Sequence, residues 1–270
     1  MQIDLNLFPN GRTKALTMSY DDGVTDDIRL IDILNRHSIK GTFHLNAGLF
    51  GKADWSRLAE SEIKATYAGH EISAHGYTHQ ALASIPDTGV IAEIMQDREK
   101  LEELTGGPIR GMSYAFGSVD ERVLAMLPML GIEYGRVVET TGGFGLPADF
   151  LRWQGTCHHN DRLLERGDEF LSQGWHPLMY VWGHSYEFSG DNNWDLIEAF
   201  CAKMGGHEDI WYATNIEICD YVKALRGLKF TARQDAVYNP AALDLWIRVN
   251  GEAQEVKGGE TIAFSAGDSA

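Results

Sequence analysis

The chain has 270 residues, with 23 Lys and Arg against 39 Asp and Glu, for a formal charge of −16. A hydrophobic fraction of 44% with 10% aromatic residues excludes intrinsic disorder and a fibrous repeat, and it supports one large core with room for an appendage. So acidic a balance argues against nucleic acid or an anionic membrane as a partner, since both recruit basic patches.

Short apolar runs alternate with helical patterns from about residue 15 to residue 226. The expected order is strand 15–19, helix 26–37 with Ile28, Ile31 and Leu34 on one face, strand 40–46, helix 54–67 and strand 70–75. A helix then starts at Asp87 and runs to about Leu104, with Ile91, Ile94 and Met95 inward and Gly106-Gly107-Pro108 as its stop. Strand 110–116, helix 119–130, strands 132–137 and 151–156, and a polar helix 160–171 follow. The series ends with strand 178–182, helix 193–204, strand 209–213 and helix 216–225. Strands that alternate with helices form a parallel sheet, and seven or eight such units fit a (β/α) barrel better than an open doubly wound sheet. After Gly227 the pattern changes to short strands at 228–234, 243–249 and 261–264, with turns at Asn250-Gly251 and Gly258-Gly259. The expected organisation is therefore a barrel over 1–226 and a small antiparallel β appendage over 227–270, packed on it.

No apolar run reaches the roughly 18 residues of a membrane span. Met1–Leu7 has neither a basic start nor an apolar core, so it does not read as a signal peptide. Cys157, Cys201 and Cys219 are an odd number at wide spacing and no disulfide framework. A cytoplasmic address is the expectation.

Three polar groups directly follow predicted strands. Ser19-Tyr20-Asp21-Asp22-Gly23 sets two adjacent carboxylates at a strand end, where they repel unless a cation is near, although Asp at a first turn is also a helix-cap signal. His75 and His79 are four apart, the spacing that puts two imidazoles on one helical face for a metal. His70 reads as structural, since Ala74 rules out an HExxH motif. His184 follows the apolar run ending at Gly183, where a core histidine is the plain alternative. In a parallel barrel all these strand ends meet at one rim, and two histidines with one carboxylate make an open metal site.

Tyr20-Asp21-Asp22-Gly23, Gly69-His70-Glu71-Ile72, His75-x-x-x-His79 and His184 together resemble the motifs of the polysaccharide deacetylases, carbohydrate esterase family 4. Arg110-Gly111-Met112-Ser113-Tyr114-Ala115-Phe116-Gly117 is similar to that family's arginine, aromatic, proline, aromatic, glycine loop, with Ala115 and Phe116 where Pro and Tyr are usual. The resemblance spans roughly residues 14–226. It implies an irregular (β/α) barrel of about seven strands and a hydrolase that removes acetyl groups from N-acetylated sugars. It further implies one divalent metal on Asp22, His75 and His79, with zinc foremost and cobalt, manganese or nickel as alternatives. Asp21 is then the general base and His184 the general acid. Phe116, through its N–H, and Tyr114 then face the oxyanion and substrate. Arg110 or Arg152 is the implied partner of the base. The family's Asp-rich segment that orients the acid is not recognisable, and His158 or His159, in the region that replaces it, is either part of the site or a polar turn. Two other readings stay open: the same scaffold cleaving a non-sugar amide, and a non-catalytic carbohydrate-binding protein. Among tryptophans, Trp153, Trp182 and Trp194 are either sugar-stacking or core residues.

Overall fold

The structure is a computed structural model that describes residues 1–52, 56–174 and 177–264. In chain order the elements are β1 (Ile3–Asp4), β2 (Lys14–Asp21), α1 (Asp26–Arg36), β3 (Gly41–Leu45), α2 (Glu60–Thr66), β4 (Glu71–Ala74) and α3 (Asp87–Thr105). Then come β5 (Gly111–Ser113), α4 (Glu121–Met126), β6 (Tyr134–Thr140), β7 (Trp153–Gly155), β8 (Cys157–His158), α5 (Leu163–Leu171) and β9 (Leu178–Gly183). The rest are α6 (Ser185–Gly190), α7 (Trp194–Met204), β10 (Ile210–Tyr212), α8 (Asn215–Arg226), β11 (Lys229–Phe230), β12 (Ala236–Tyr238), β13 (Leu245–Val249), β14 (Glu252–Val256) and β15 (Thr261–Ala263).

The main sheet is parallel throughout, in the order β7-β6-β5-β4-β3-β2-β9-β8, with β10 on the N-terminal half of β2. This is the barrel-like fold expected from the alternation, and among the described residues no ladder joins the two ends of that order. Those ends, β7 and β8, are consecutive stretches of one chain joined at Thr156. Thr156 bonds to the neighbouring strand: its N–H donates to Tyr180 O at 2.7 Å, and its Oγ1 accepts from Tyr180 N at 3.0 Å.

Period-2 alternation sorts β2. Leu16, Met18 and Tyr20 join the apolar cluster of α1 and α7, while Thr17, Ser19 and Asp21 find polar partners on Asn215, His44 and Ser113. Helix α1 buries Leu30, Ile31, Ile33 and Leu34, and Ile28 stands 50% exposed rather than inward. Two apolar stripes overlap in that sequence, and the sheet covers the one through Leu30 and Ile33. Ile91 likewise faces out, while Val90, Ile94 and Leu101 of α3 are buried. Gly106 ends α3 in the left-handed conformation, as the Gly-Gly-Pro stop predicts. The helix expected from residue 54 runs only Glu60–Thr66, and residues 54 and 55 lie outside the described residues. His70 is structural: its Nδ1 accepts from the Gly41 N–H at 2.9 Å.

Beyond α8 lie two small antiparallel sheets, β1-β13-β14 and β11-β12-β15. Their Val237, Leu245, Ile247 and Val256 share a buried cluster with Tyr221 and Val222 of α8 and with Trp153 and Tyr180. The N-terminal strand β1 completes the first of these sheets, which sequence reading did not foresee.

Opposite the rim, Glu71 gathers donors from three other elements: Thr42 Oγ1 at 2.9 Å, Tyr134 OH at 2.7 Å and the Ile216 N–H at 2.9 Å. Burial pushes its carboxyl up to about 7, and these donors oppose the rise only in part. The folded chain thus keeps a proton that the unfolded chain releases at the ordinary, lower value. Stability from this group is present below that ordinary value and lost as pH rises through about 7. Glu71→Gln is expected to flatten the fall in melting temperature between roughly pH 5 and pH 8. A slope unchanged from the parent protein would show that Glu71 is not its source.

Candidate active site

The rim collects the residues that the spacing singled out. Asp21 ends β2, Asp22 follows it, His75 follows β4 and His184 follows β9. Three residues here hold left-handed backbone without being glycine: Asp22 at φ 91°, His79 at 63° and Phe116 at 58°. Such conformations are costly and persist where the surroundings fix them. For Asp22 the fixing bond runs from its N–H to His44 O, 2.9 Å.

His75 and His79 present their Nε2 atoms to each other at 3.1 Å. Asp22 Oδ1 lies 3.8 Å from His79 Nε2 and 4.0 Å from His75 Nε2. His75 Nδ1 is 3.0 Å from Ser113 O and 2.6 Å from Ser113 Oγ, and that hydroxyl donates to Asp21 Oδ1 at 3.0 Å. One proton arrangement satisfies this chain: Nδ1–H donates to Ser113, which leaves the Nε2 lone pair open. Burial and the neighbouring His75 push His79 down to about 4, so it is a neutral imidazole at pH 7. Two ring nitrogens and one carboxylate oxygen, open on one side, fit a divalent ion such as zinc.

The supports behind these ligands were not legible in sequence. Asp97 accepts the His75 N–H at 2.9 Å, and Asn46 Nδ2 donates to His75 O and Gly76 O at 2.8 and 2.7 Å. Arg57, its side chain only 4% exposed, donates to Asp22 Oδ1 at 3.0 Å and to Asn46 Oδ1 at 3.3 Å.

Arg136 of β6 is the partner of Asp21. Its guanidinium donates to Asp21 Oδ2 and stacks over the Trp182 ring at 4.3 Å. Burial alone would raise the Asp21 carboxyl, but Arg136, with His75 and His44 beside it, holds it well below the usual carboxylate range. The two arginines proposed from sequence are elsewhere. Arg110 starts the turn into β5 at the opposite end and is engaged by Asp220 and Glu133. Arg152 pairs with Glu121 on the surface. Register explains the replacement: Ser113 pairs with Arg136 across β5 and β6, so both side chains enter the barrel at the level of Asp21.

His184 caps α6, and Glu187 one turn on holds it. The Nδ1–H of His184 donates to Glu187 Oε1 at 3.2 Å. Burial works against charging His184, but Glu187, then Asp21 and Asp22, raise it above the ordinary histidine value. The candidates His158 and His159 also close on this carboxylate, with Nε2 atoms 3.2 and 2.9 Å from Glu187 Oε2. Gly183 makes room for this packing, since a Cβ there would sit 2.1 Å from His159 Nδ1. The signal available in sequence was His184-x-x-Glu187, which is capping-box spacing at a helix start.

A cavity of about 530 Å³ opens over these groups, walled by Leu49, Tyr114, Phe116, Val138, Trp182 and Tyr186. The Phe116 ring is 72% exposed and stands edge-on to His79 at 4.5 Å. The Tyr114 hydroxyl donates away from the rim, to Leu151 O at 2.6 Å. Trp153 and Trp194 are core residues, whereas Trp182 lines the cavity. Among the described residues, no helix is long and apolar enough to cross a membrane.

A sequence model for polysaccharide deacetylase matches residues 9–135. Chitin deacetylase 1 of Cryptococcus neoformans var. grubii is 29% identical over 118 residues, 43% of this chain. This chain spans only 24% of that relative's length. Among solved structures, a Mycobacterium smegmatis protein assigned to the polysaccharide deacetylases superposes with a TM-score of 0.61 at 17% identity, over 81% of this chain and 93% of that one. The chitin deacetylase of Colletotrichum lindemuthianum gives 0.53 at 17% identity, over 76% and 86%. At such identities the likeness is one of fold.

Proposed function

Since this chain belongs with the polysaccharide deacetylases over the stretch that carries most of its site, we propose that it hydrolyses the acetamido group of an N-acetylated sugar. The observation that carries this reading is the convergence of Asp22, His75 and His79, with Asp21 held by Arg136 on one side and His184 held by Glu187 on the other. A bare sugar-binding surface has no use for a tethered base and a tethered acid together.

Asp22 Oδ1 and the two Nε2 atoms would hold the divalent ion, which when bound polarises the acyl carbonyl and acidifies a water. The residues of the chain do the rest. Asp21, kept ionised by Arg136, accepts a proton from the attacking water as its oxygen bonds to the acyl carbon. Asp21 is a weak base, suited to a donor that is already acidic. The Phe116 N–H, at the tip of the turn after β5, supports the oxyanion that develops. His184 delivers its Nε2 proton to the sugar nitrogen as the C–N bond breaks, so acetate and a free amine leave. Glu187 keeps His184 charged for that delivery. Trp182, Tyr186 and Phe116 give the cavity the aromatic walls on which a sugar face stacks.

The test is acetate release from a panel of N-acetylated oligosaccharides, with and without added zinc. Release that depends on the metal is expected. Release only from a non-sugar amide would move the substrate class, and no release from either would favour a binding role. The ligand set has its own check. His79→Ala should lose bound zinc in elemental analysis after dialysis, and full occupancy in that variant would remove His79 from the metal.

A further inference from the structure

The rim holds two buried ion pairs, Asp21 with Arg136 and Asp22 with Arg57. The first belongs to the base. The second falls on a metal ligand. Arg57 donates to Asp22 Oδ1, the same oxygen that faces the Nε2 atoms of His75 and His79. Asp22 is the one anionic member of the ligand set, and its side chain is 10% exposed. Its charge is therefore already countered before any ion arrives.

We propose that Arg57 is a positioning residue of the metal site, acting through Asp22 to weaken the hold on the divalent ion and keep that ion exchangeable. Two effects share one sign. The guanidinium competes for the oxygen lone pairs on Asp22 Oδ1, and its charge repels a dication bound at the same carboxylate. Removing Arg57 relieves both and leaves a buried carboxylate in need of a counter-ion. The fold holds Arg57 to this place, since its other amino group reaches Asn46 Oδ1 at 3.3 Å and Asn46 in turn carries the His75 and Gly76 carbonyls. Asn46 thus ties the arginine to the backbone of the histidine ligand. With both carboxylates matched by arginines, a bound dication keeps more of its positive charge, which favours polarisation of an acyl oxygen over tight retention.

The proposal rests on reading Asp22, His75 and His79 as ligands, and the experiment separates the two. Zinc affinity of the metal-stripped full chain is measured by competition with a chromophoric chelator at one pH and low salt, with far-UV circular dichroism as the check on folding. Arg57→Met should bind zinc at least about tenfold more tightly than the parent chain. Arg57→Lys, which keeps the charge, should stay within about threefold of it. Equal or weaker zinc binding by folded Arg57→Met would overturn the proposal. If Arg57→Met folds only when zinc is present, a half-saturating zinc concentration for its folding below that for zinc binding by the parent chain supports the proposal, because the ion then supplies the missing counter-charge, and one above it overturns the proposal. A variant that stays unfolded even with zinc would assign Arg57 to the fold and not to affinity. If His79→Ala binds zinc as the parent does, the ligand reading fails first. If His79→Ala loses zinc while Arg57→Met binds no tighter, only the role of Arg57 fails.

Discussion

Asp21→Asn should keep its metal and lose turnover by about 10²–10⁴-fold, the usual worth of a positioned proton acceptor. The amide is nearly isosteric and still accepts from Ser113, but it cannot take up a proton. The complication lies in Arg136, whose side chain is fully buried against Asp21. Neutralising Asp21 leaves that guanidinium without its counter-ion, and breaking a buried pair from one side costs about 3–5 kcal/mol. A drop in melting temperature is therefore expected alongside the drop in rate. The double variant Asp21→Asn/Arg136→Met removes both charges and should recover much of the melting temperature with none of the turnover. If it regains neither, the lost rate reflects damage to the site. If Asp21→Asn alone stays active on the true substrate, Asp21 is not the base.

His184→Ala should lower the rate by about 10²–10⁴-fold and remove the basic limb of the pH–rate profile while zinc content is unchanged. A charged His184 is the donor, so activity that depends on it falls as pH rises through its pKa. Glu187 raises that pKa against burial. Glu187→Gln withdraws the support, so the basic limb should survive but move to lower pH. His158 and His159, freed from the same carboxylate, set no limb in this scheme. A basic limb that persists unchanged in His184→Ala would transfer the donor role to one of them. The limbs belong to coupled groups, so the shift between variants is the quantity to read.

What could be read in advance was local. Asp21-Asp22, His75-x-x-x-His79 and His184 each sit within a few residues of a strand end, and a parallel sheet forces such ends onto one rim. Arg136 was hidden because its meaning depends on register with Ser113 three strands from Asp21, which no sequence window contains. It still left a trace, as a single charge inside the otherwise uncharged stretch Tyr134–Val137 of the predicted strand 132–137. Arg57 left none, since helical spacing places it inside a helix 54–67, whereas it precedes α2 and gains its role from Asn46 and Asp22. Strands β12 and β14 were passed over because three residues, or a run as polar as Glu252–Val256, lack the apolar alternation that marks a strand. Ile28 and Ile91 misled for the opposite reason: large apolar residues are permitted at the surface of a helix, and spacing alone does not say which of two stripes is covered.

The stretch at Thr156 gives one short segment two neighbours. Its N–H donates to Tyr180 O, while its carbonyl accepts the Gly142 N–H at 3.0 Å, so a single residue touches the chain beyond β6 on one side and β9 on the other. Arg136 lies on β6 and His184 follows β9, each one strand from this segment, whereas Asp22 and His75 stand at the ends of β2 and β4. The span between the arginine that tethers the base and the imidazole that delivers the proton is therefore set across Gly155–Cys157, and the seats of the ion's ligands are set by other strands of the same sheet.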